Sequence, residues 1–180
     1  MISPERRASS FALGLSYETK SVSALESLGY HVIDCRDTDL DLYKKIDLIG
    51  TPPGSDESQL IQVKAPTNNK GLLVEYTAVN GKDGWVRSHA THLMKWLSED
   101  IYIFVAMSEL RAYVEQLPQQ VKSCYAGQAD YGQWYQRPSR KEQCVQITHT
   151  ALRQHCSVLS HVYARSLRSV QCAQPIEARR

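Results

Sequence analysis

Three polar residues on two short apolar segments could carry chemistry in this sequence. Asp47 stands inside Ile46-Asp47-Leu48-Ile49, and Gln62 and Lys64 stand inside Leu60-Ile61-Gln62-Val63-Lys64. Side chains alternate along a strand, so Gln62 and Lys64 share a face. Asp47 reaches that face if the two segments pair across the turn Thr51-Pro-Pro-Gly54. A carboxylate, an amide oxygen and an ammonium among Ile, Leu and Val are costly to bury without partners. Such a set among apolar neighbours makes the strand pair the candidate seat of chemistry. The plain alternative is a half-exposed hairpin whose polar residues face water.

The surrounding pattern supplies elements to hold them. Leu15, Val22, Leu25 and Leu28 have helical spacing, predicting a helix from Ser16 to Leu28 with Gly29 as its stop. Strands are expected at Tyr30–Cys35, Ile46–Gly50, Leu60–Lys64, Leu72–Val79 and Ile101–Val105, with Cys144–Thr148 as the last. The acidic stretch Arg36–Asp41 reads as a loop. Arg87–Leu97 reads as a helix with Ala90, Leu93, Met94 and Leu97 on one face. Further helices are expected from a Ser108 cap to about Leu117, before Pro118, and from Thr150 to about Leu167. Gln119–Lys141 reads as a long polar loop. The order predicts an α/β (α+β) domain with a mixed central sheet flanked by helices.

Asp47 followed by Gln62-x-Lys64 on the next strand, behind a helix carrying Glu18 eleven residues ahead of Gly29-Tyr30, resembles the PD-(D/E)XK nuclease superfamily. More narrowly, it is similar to the phage and archaeal Holliday-junction-resolvase-like branch. The resemblance spans about Ser16–Val105 and departs from the family twice. Ile46 stands where the family has Pro, and Gln62 replaces the second acid, removing a negative charge. Glu75–Trp85 also resembles a strand and turn of some phage-borne nucleases.

The resemblance implies a restriction-endonuclease-like core that hydrolyses DNA phosphodiester bonds with Mg²⁺, for which Mn²⁺ can substitute. It makes Asp47 the direct carboxylate ligand, with the Gln62 amide oxygen and the Val63 backbone carbonyl beside it. Glu18 would hold a metal-bound water, and Lys64 would orient the attacking water and stabilise charge on the phosphate. Glu75 is either a supplementary acid or an exposed strand residue. The implied partner is branched or duplex DNA, and the implied unit is a homodimer, since two strands are cut across a two-fold junction. A non-catalytic nucleic-acid-binding module on the same fold is the alternative, with Gln62 marking a decayed site.

Charge agrees with a phosphate partner. From Arg137 to the end, eight basic residues face two acids, a net of +6 in a chain of net +2, leaving −4 for the rest. The candidate phosphate contacts are Lys45, Arg87, Arg137, Arg140 and Lys141. Tyr125, Tyr131, Trp134 and Tyr135 could stack on unpaired bases. His149, His155 and His161 recur every six residues, which on one helix would scatter them over different faces.

The 180 residues suit one domain, read as a nuclease-like core at 1–118 with a basic extension at 119–180 packed on it. Five cysteines, an odd number without a C-x-x-C pair, argue against a disulfide framework or zinc ribbon. The apolar run Ile101–Met107 is far short of a membrane span, which needs roughly 20 residues. These features lead to the expectation of a cytoplasmic protein, in a host cytoplasm if phage-encoded. There is no Walker A loop, G-x-G-x-x-G, G-x-S-x-G or H-E-x-x-H.

Overall fold

The computed structural model describes residues 4–66, 71–125 and 128–163. Two sheets and four helices form the mixed α/β architecture expected from the sequence. Helix α1 (Pro4–Ser27) starts well before Ser16 and ends as expected, Gly29 taking φ +85° just past it. It is followed by β1 (His31–Asp34), helix α2 (Asp39–Lys44), β2 (Leu48–Thr51), β3 (Gln59–Lys64) and β4 (Gly71–Thr77). A 3-10 turn (Trp85–Arg87) leads to β5 (His92–Trp96), β6 (Ile101–Ala106) and α3 (Met107–Gln116). The chain then forms β7 (Lys122–Ser123), β8 (Trp134–Gln136), β9 (Gln143–Thr148), α4 (His149–His155) and β10 (Val158–Val162).

The larger sheet has the order β1-β2-β3-β5-β6-β10, with β3 and β5 parallel and every other pair antiparallel. The smaller has the order β4-β9-β8-β7. Segment 119–163 is therefore woven into the body, because β9 pairs with β4 and β10 pairs with β6.

Alternation along the strands of the larger sheet gives it two apolar faces. Ile61, Val63, Met94 and Trp96 face α1, where Tyr17, Ala24 and Leu25 meet them at helical spacing. Buried Ser21 on the same stripe accepts the Trp96 indole N–H at 2.8 Å. Leu93, Ile103 and Val105 face the other way, onto Leu72, Val74, Val145 and Ile147 of the smaller sheet and Leu110 and Val114 of α3. Gln62, Lys64 and Lys95 alternate with the α1-facing residues, so their side chains leave toward the smaller sheet.

Four expectations are corrected. Arg87–Leu97 holds a 3-10 turn and a central strand. Leu93, Met94 and Trp96 are all buried because both faces of β5 are covered, and a doubly buried strand imitates a helical apolar pattern. The carbonyls of Val86, Ser88 and Ala90 accept from the Arg111 guanidinium at 2.7–2.9 Å, which ties the 85–90 loop to α3. The helix expected over Thr150–Leu167 stops at His155, where the backbone N–H and hydroxyl of Ser157 bond the Glu109 carboxylate, and β10 follows. His149 and His155 lie on α4 and His161 on β10. Arg36–Asp41 is not all loop, since Asp39 opens α2. Ser108 lies inside the first turn of α3, whose cap is Ala106.

The expected polar loop contains β7 and β8, and its aromatics divide. Tyr125 and Tyr131 are exposed, whereas Trp134 packs edge-on against Tyr76 in the core and Tyr135 lies buried beside Cys124 and Cys144. Base stacking by the last two would require unpacking the interior. Among the described residues four cysteines are free and buried, and no helix is long and apolar enough to cross a membrane.

Candidate active site

The cleft forms where β2 and β3 part company. Leu48 opens β2 opposite Ile61, while β3 runs on through Gln62, Val63 and Lys64. The backbone of Asp47 is held on both sides: its N–H donates to Ile61 O and its carbonyl accepts from Cys35 N–H. Continuing the register puts Asp47 opposite Gln62, with both side chains on one face. Asp47 is 6% exposed, and its Oδ2 accepts the Gln62 Nε2–H at 2.5 Å and the Val63 N–H at 2.6 Å. The other amide atom, Gln62 Oε1, is buried without a partner. Buried acceptors are rarely left so, and this one lies beside a carboxylate.

Glu18, Asp41, Lys45, Asp47, Gln62, Lys64, Glu75 and Trp85 enclose a cleft of about 410 Å³. The structure thus brings together Glu18 from α1, Asp47, the Gln62–Lys64 pair and Glu75 from β4. Glu75 is placed by a register shift between Glu75 and Thr77, against which the Gly84 backbone is pressed. A Cβ at Gly84 would come within 2.0 Å of Glu75 O, so only glycine fits. Lys64 Nζ lies 5.5 Å from the centre of the Trp85 ring. Among the described residues Lys64 and Asp47 form no direct ion pair.

The charges in the cleft strain one another. Burial raises the Asp47 carboxyl above the usual range, while Lys64 and the N–H groups from Val63 and Gln62 pull it back. Glu18 is raised by burial and then by Asp47 and Asp41. Glu75 is raised by burial, against the pull of Lys45 and Lys64. Burial lowers Lys64, which Asp47, Glu75 and Glu18 resist. A cation among these acids would relieve their repulsion and give Gln62 Oε1 a partner, so the chemistry of Asp47 and Gln62 suits a hard ion. It is a lean set: among the described residues no three His, Cys, Asp or Glu side chains converge as a metal group.

Compared with protein-family models, curated proteins and solved structures, the chain matches none.

The five expected phosphate contacts are scattered in role. Lys45, in the left-handed region at φ +56°, lines the cleft and reaches the carbonyl of Asp83. Arg87 is exposed, 2.7 Å from the Asp83 carboxylate and over the Tyr76 ring. Arg140 and Lys141 are exposed, and the Lys141 side chain lies along the turn at Gly81. Arg137 does not join them, because its guanidinium is committed to the fully buried Glu142.

Two residues of this region escaped the sequence reading. Asp41 reaches the cleft from α2, and Thr38-x-x-Asp41 has the Ser/Thr-x-x-acid form of a helix start that could have announced it. Lys82 lies with Lys45 along a neighbouring groove of about 600 Å³ and extends the basic rim that Lys141 borders. Its place follows only once the 80–84 turn is known to fold back on Lys45.

Proposed function

We propose that this protein is a divalent-cation-dependent nuclease that hydrolyses DNA phosphodiester bonds in the Asp47–Lys64 cleft. The observation that carries this reading is the unsatisfied, buried Gln62 Oε1 beside a buried carboxylate, with an ammonium across the gap. Asp47, Gln62 Oε1 and the Val63 carbonyl would hold Mg²⁺ or Mn²⁺. When bound, such an ion would supply an activated water and neutralise charge on the phosphate. Lys64, braced against Trp85, stabilises the negative charge that develops on the phosphoryl oxygens. Glu18 accepts hydrogen bonds from water at the mouth of the cleft and keeps it oriented. Lys45, Lys82, Lys141 and Arg87 contact backbone phosphates along the rim, so binding reads charge and shape before sequence.

The resemblance adds branched DNA as substrate and a homodimer as the acting unit. Gln62, standing where an acid is expected, favours one second reading: a nucleic-acid-binding module that has lost its chemistry. One experiment separates the two. Plasmid, four-way junction and single-stranded oligonucleotide are incubated with wild type, Asp47→Ala and Lys64→Ala, in Mg²⁺, Mn²⁺ or EDTA. The nuclease reading predicts cation-dependent cutting by wild type alone. Salt-sensitive binding without cutting selects the module, and neither binding nor cutting overturns both readings.

A further inference from the structure

A second cavity, of about 250 Å³, opens beside the cleft and shares Lys64, Glu75 and Trp85 with it as common walls. Its other walls are Ala65, Leu72, Leu73 and, deep inside, Lys95. Lys95 stands directly across from Lys64 in the parallel β3–β5 ladder, so the two amines leave the sheet side by side. The cavity is below the roughly 300–1,000 Å³ typical of drug-sized ligand sites and suits a single ring system. Because Lys64, Glu75 and Trp85 wall both spaces, an occupant of this cavity lies against whatever fills the cleft.

We propose that this cavity receives one unpaired nucleobase of the strand held in the cleft, with Lys95 donating to an acceptor on its edge. This rests on the nucleic-acid reading of the cleft. From a bound phosphate backbone the group that projects sideways is a base, and Ala65, Leu72 and Trp85 offer it apolar contact. Lys95 is 3% exposed and gives one N–H to Ala65 O at 2.5 Å. A buried ammonium without a counter-charge is costly, and among the described residues Lys95 has no carboxylate in ion-pair contact. Its remaining N–H bonds meet a ring nitrogen or carbonyl oxygen, which every nucleobase presents. Burial and the neighbouring Lys64 lower the amine to about 8, so at neutral pH it is mostly protonated and can donate. The cavity therefore discriminates paired from unpaired bases more than one base from another, since extracting a base from a duplex costs unstacking.

The test is binding without cleavage. The full chain, in Ca²⁺ buffer, is titrated by fluorescence anisotropy into a labelled single strand and into the same strand carrying abasic backbone units. Wild type is expected to bind the base-bearing strand at least about tenfold more tightly, in line with stacking energies for single bases. Leu73→Trp, a half-exposed position where the larger side chain fills the cavity mouth, is expected to reduce that ratio to near one. Lys95→Met, which keeps the apolar walls, is expected to reduce it part-way. Equal affinity of wild type for the two strands, no binding to either, or a preference that survives both substitutions overturns the proposal. Cleavage is read separately: a nuclease that fails this test keeps the proposed function, and base-selective binding by a protein that cuts nothing supports the cavity without it.

Discussion

Among the described residues two carboxylates, Asp47 and Glu142, are almost wholly buried beside a basic side chain, and the fold treats them in opposite ways. Glu142 receives the Arg137 guanidinium on both oxygens, Oε2 at 2.6 Å from Nη2, a closed pair with complementary forks. Asp47 receives a neutral amide and a backbone N–H, keeps Lys64 out of direct contact, and leaves Gln62 Oε1 unsatisfied. The first arrangement is complete and so reads as architecture. The second is incomplete in a way that a cation and an anionic substrate would finish. Composition did not separate them, since both combine an acid with a base in a strand-rich region. Satisfaction of the polar atoms does.

The contrast can be broken most sharply at Asp47. Asp47→Asn keeps an oxygen for the Val63 N–H but removes the charge, and cation-dependent DNA cleavage is expected to fall by about 10³-fold, as when a principal electrostatic stabiliser is lost. Thermal melting distinguishes this from misfolding. The folded carboxyl is raised above its unfolded value, so wild-type stability declines as pH rises from the unfolded value through the raised one, and the Asn variant should gain on wild type over that rise. A variant that is both inactive and less stable at pH 7 would make Asp47 a structural residue like Glu142.

At the closed pair the consequences reverse. Arg137→Ala leaves Glu142 buried and unpaired and should cost about 3 kcal/mol in chemical denaturation, with little change in DNA affinity. A stable variant with weakened, less salt-dependent DNA binding would return Arg137 to the phosphate track.

Lys95 tests the same distinction for a cation. Its folded value of about 8 lies below its ordinary 10.5, so burial penalises folding below pH 8, and the penalty fades as pH rises from 8 to 10.5. Lys95→Met should therefore stabilise the protein at pH 7 by about 2 kcal/mol, after allowing for the lost bond to Ala65 O. The advantage should shrink above pH 8, as followed by melting across that range.

The smallest effect expected is at Gln62. Gln62→Glu adds a carboxylate beside Asp47, so the cation-free protein should melt at a lower temperature. Calorimetric titration should show Mg²⁺ bound about tenfold more tightly than by wild type. An unchanged affinity would mean that this position does not face the ion.

The parts of the site legible in the sequence were those fixed by local geometry. Alternation put Gln62 and Lys64 on one face, the Pro-Pro-Gly turn allowed Asp47 to meet them, and Gly29 marked the end of the helix bearing Glu18. The parts hidden were those set by tertiary packing. Lys95 lay in a segment that imitates a helix because both faces of its strand are covered. Trp134 and Tyr135 sat in a polar stretch whose strand pairs with β9 only in the folded chain. Arg137 looked like a free charge because its partner Glu142 is distinguished only by complete burial.

Manganese binding decides whether Asp47 and Gln62 form a cation site. Electron paramagnetic resonance titration of Mn²⁺ into wild type should show one ion bound per chain, and Asp47→Asn should weaken it by at least about tenfold. Equal binding by the two proteins, or no bound ion in wild type, would contradict a cation site at Asp47 and Gln62.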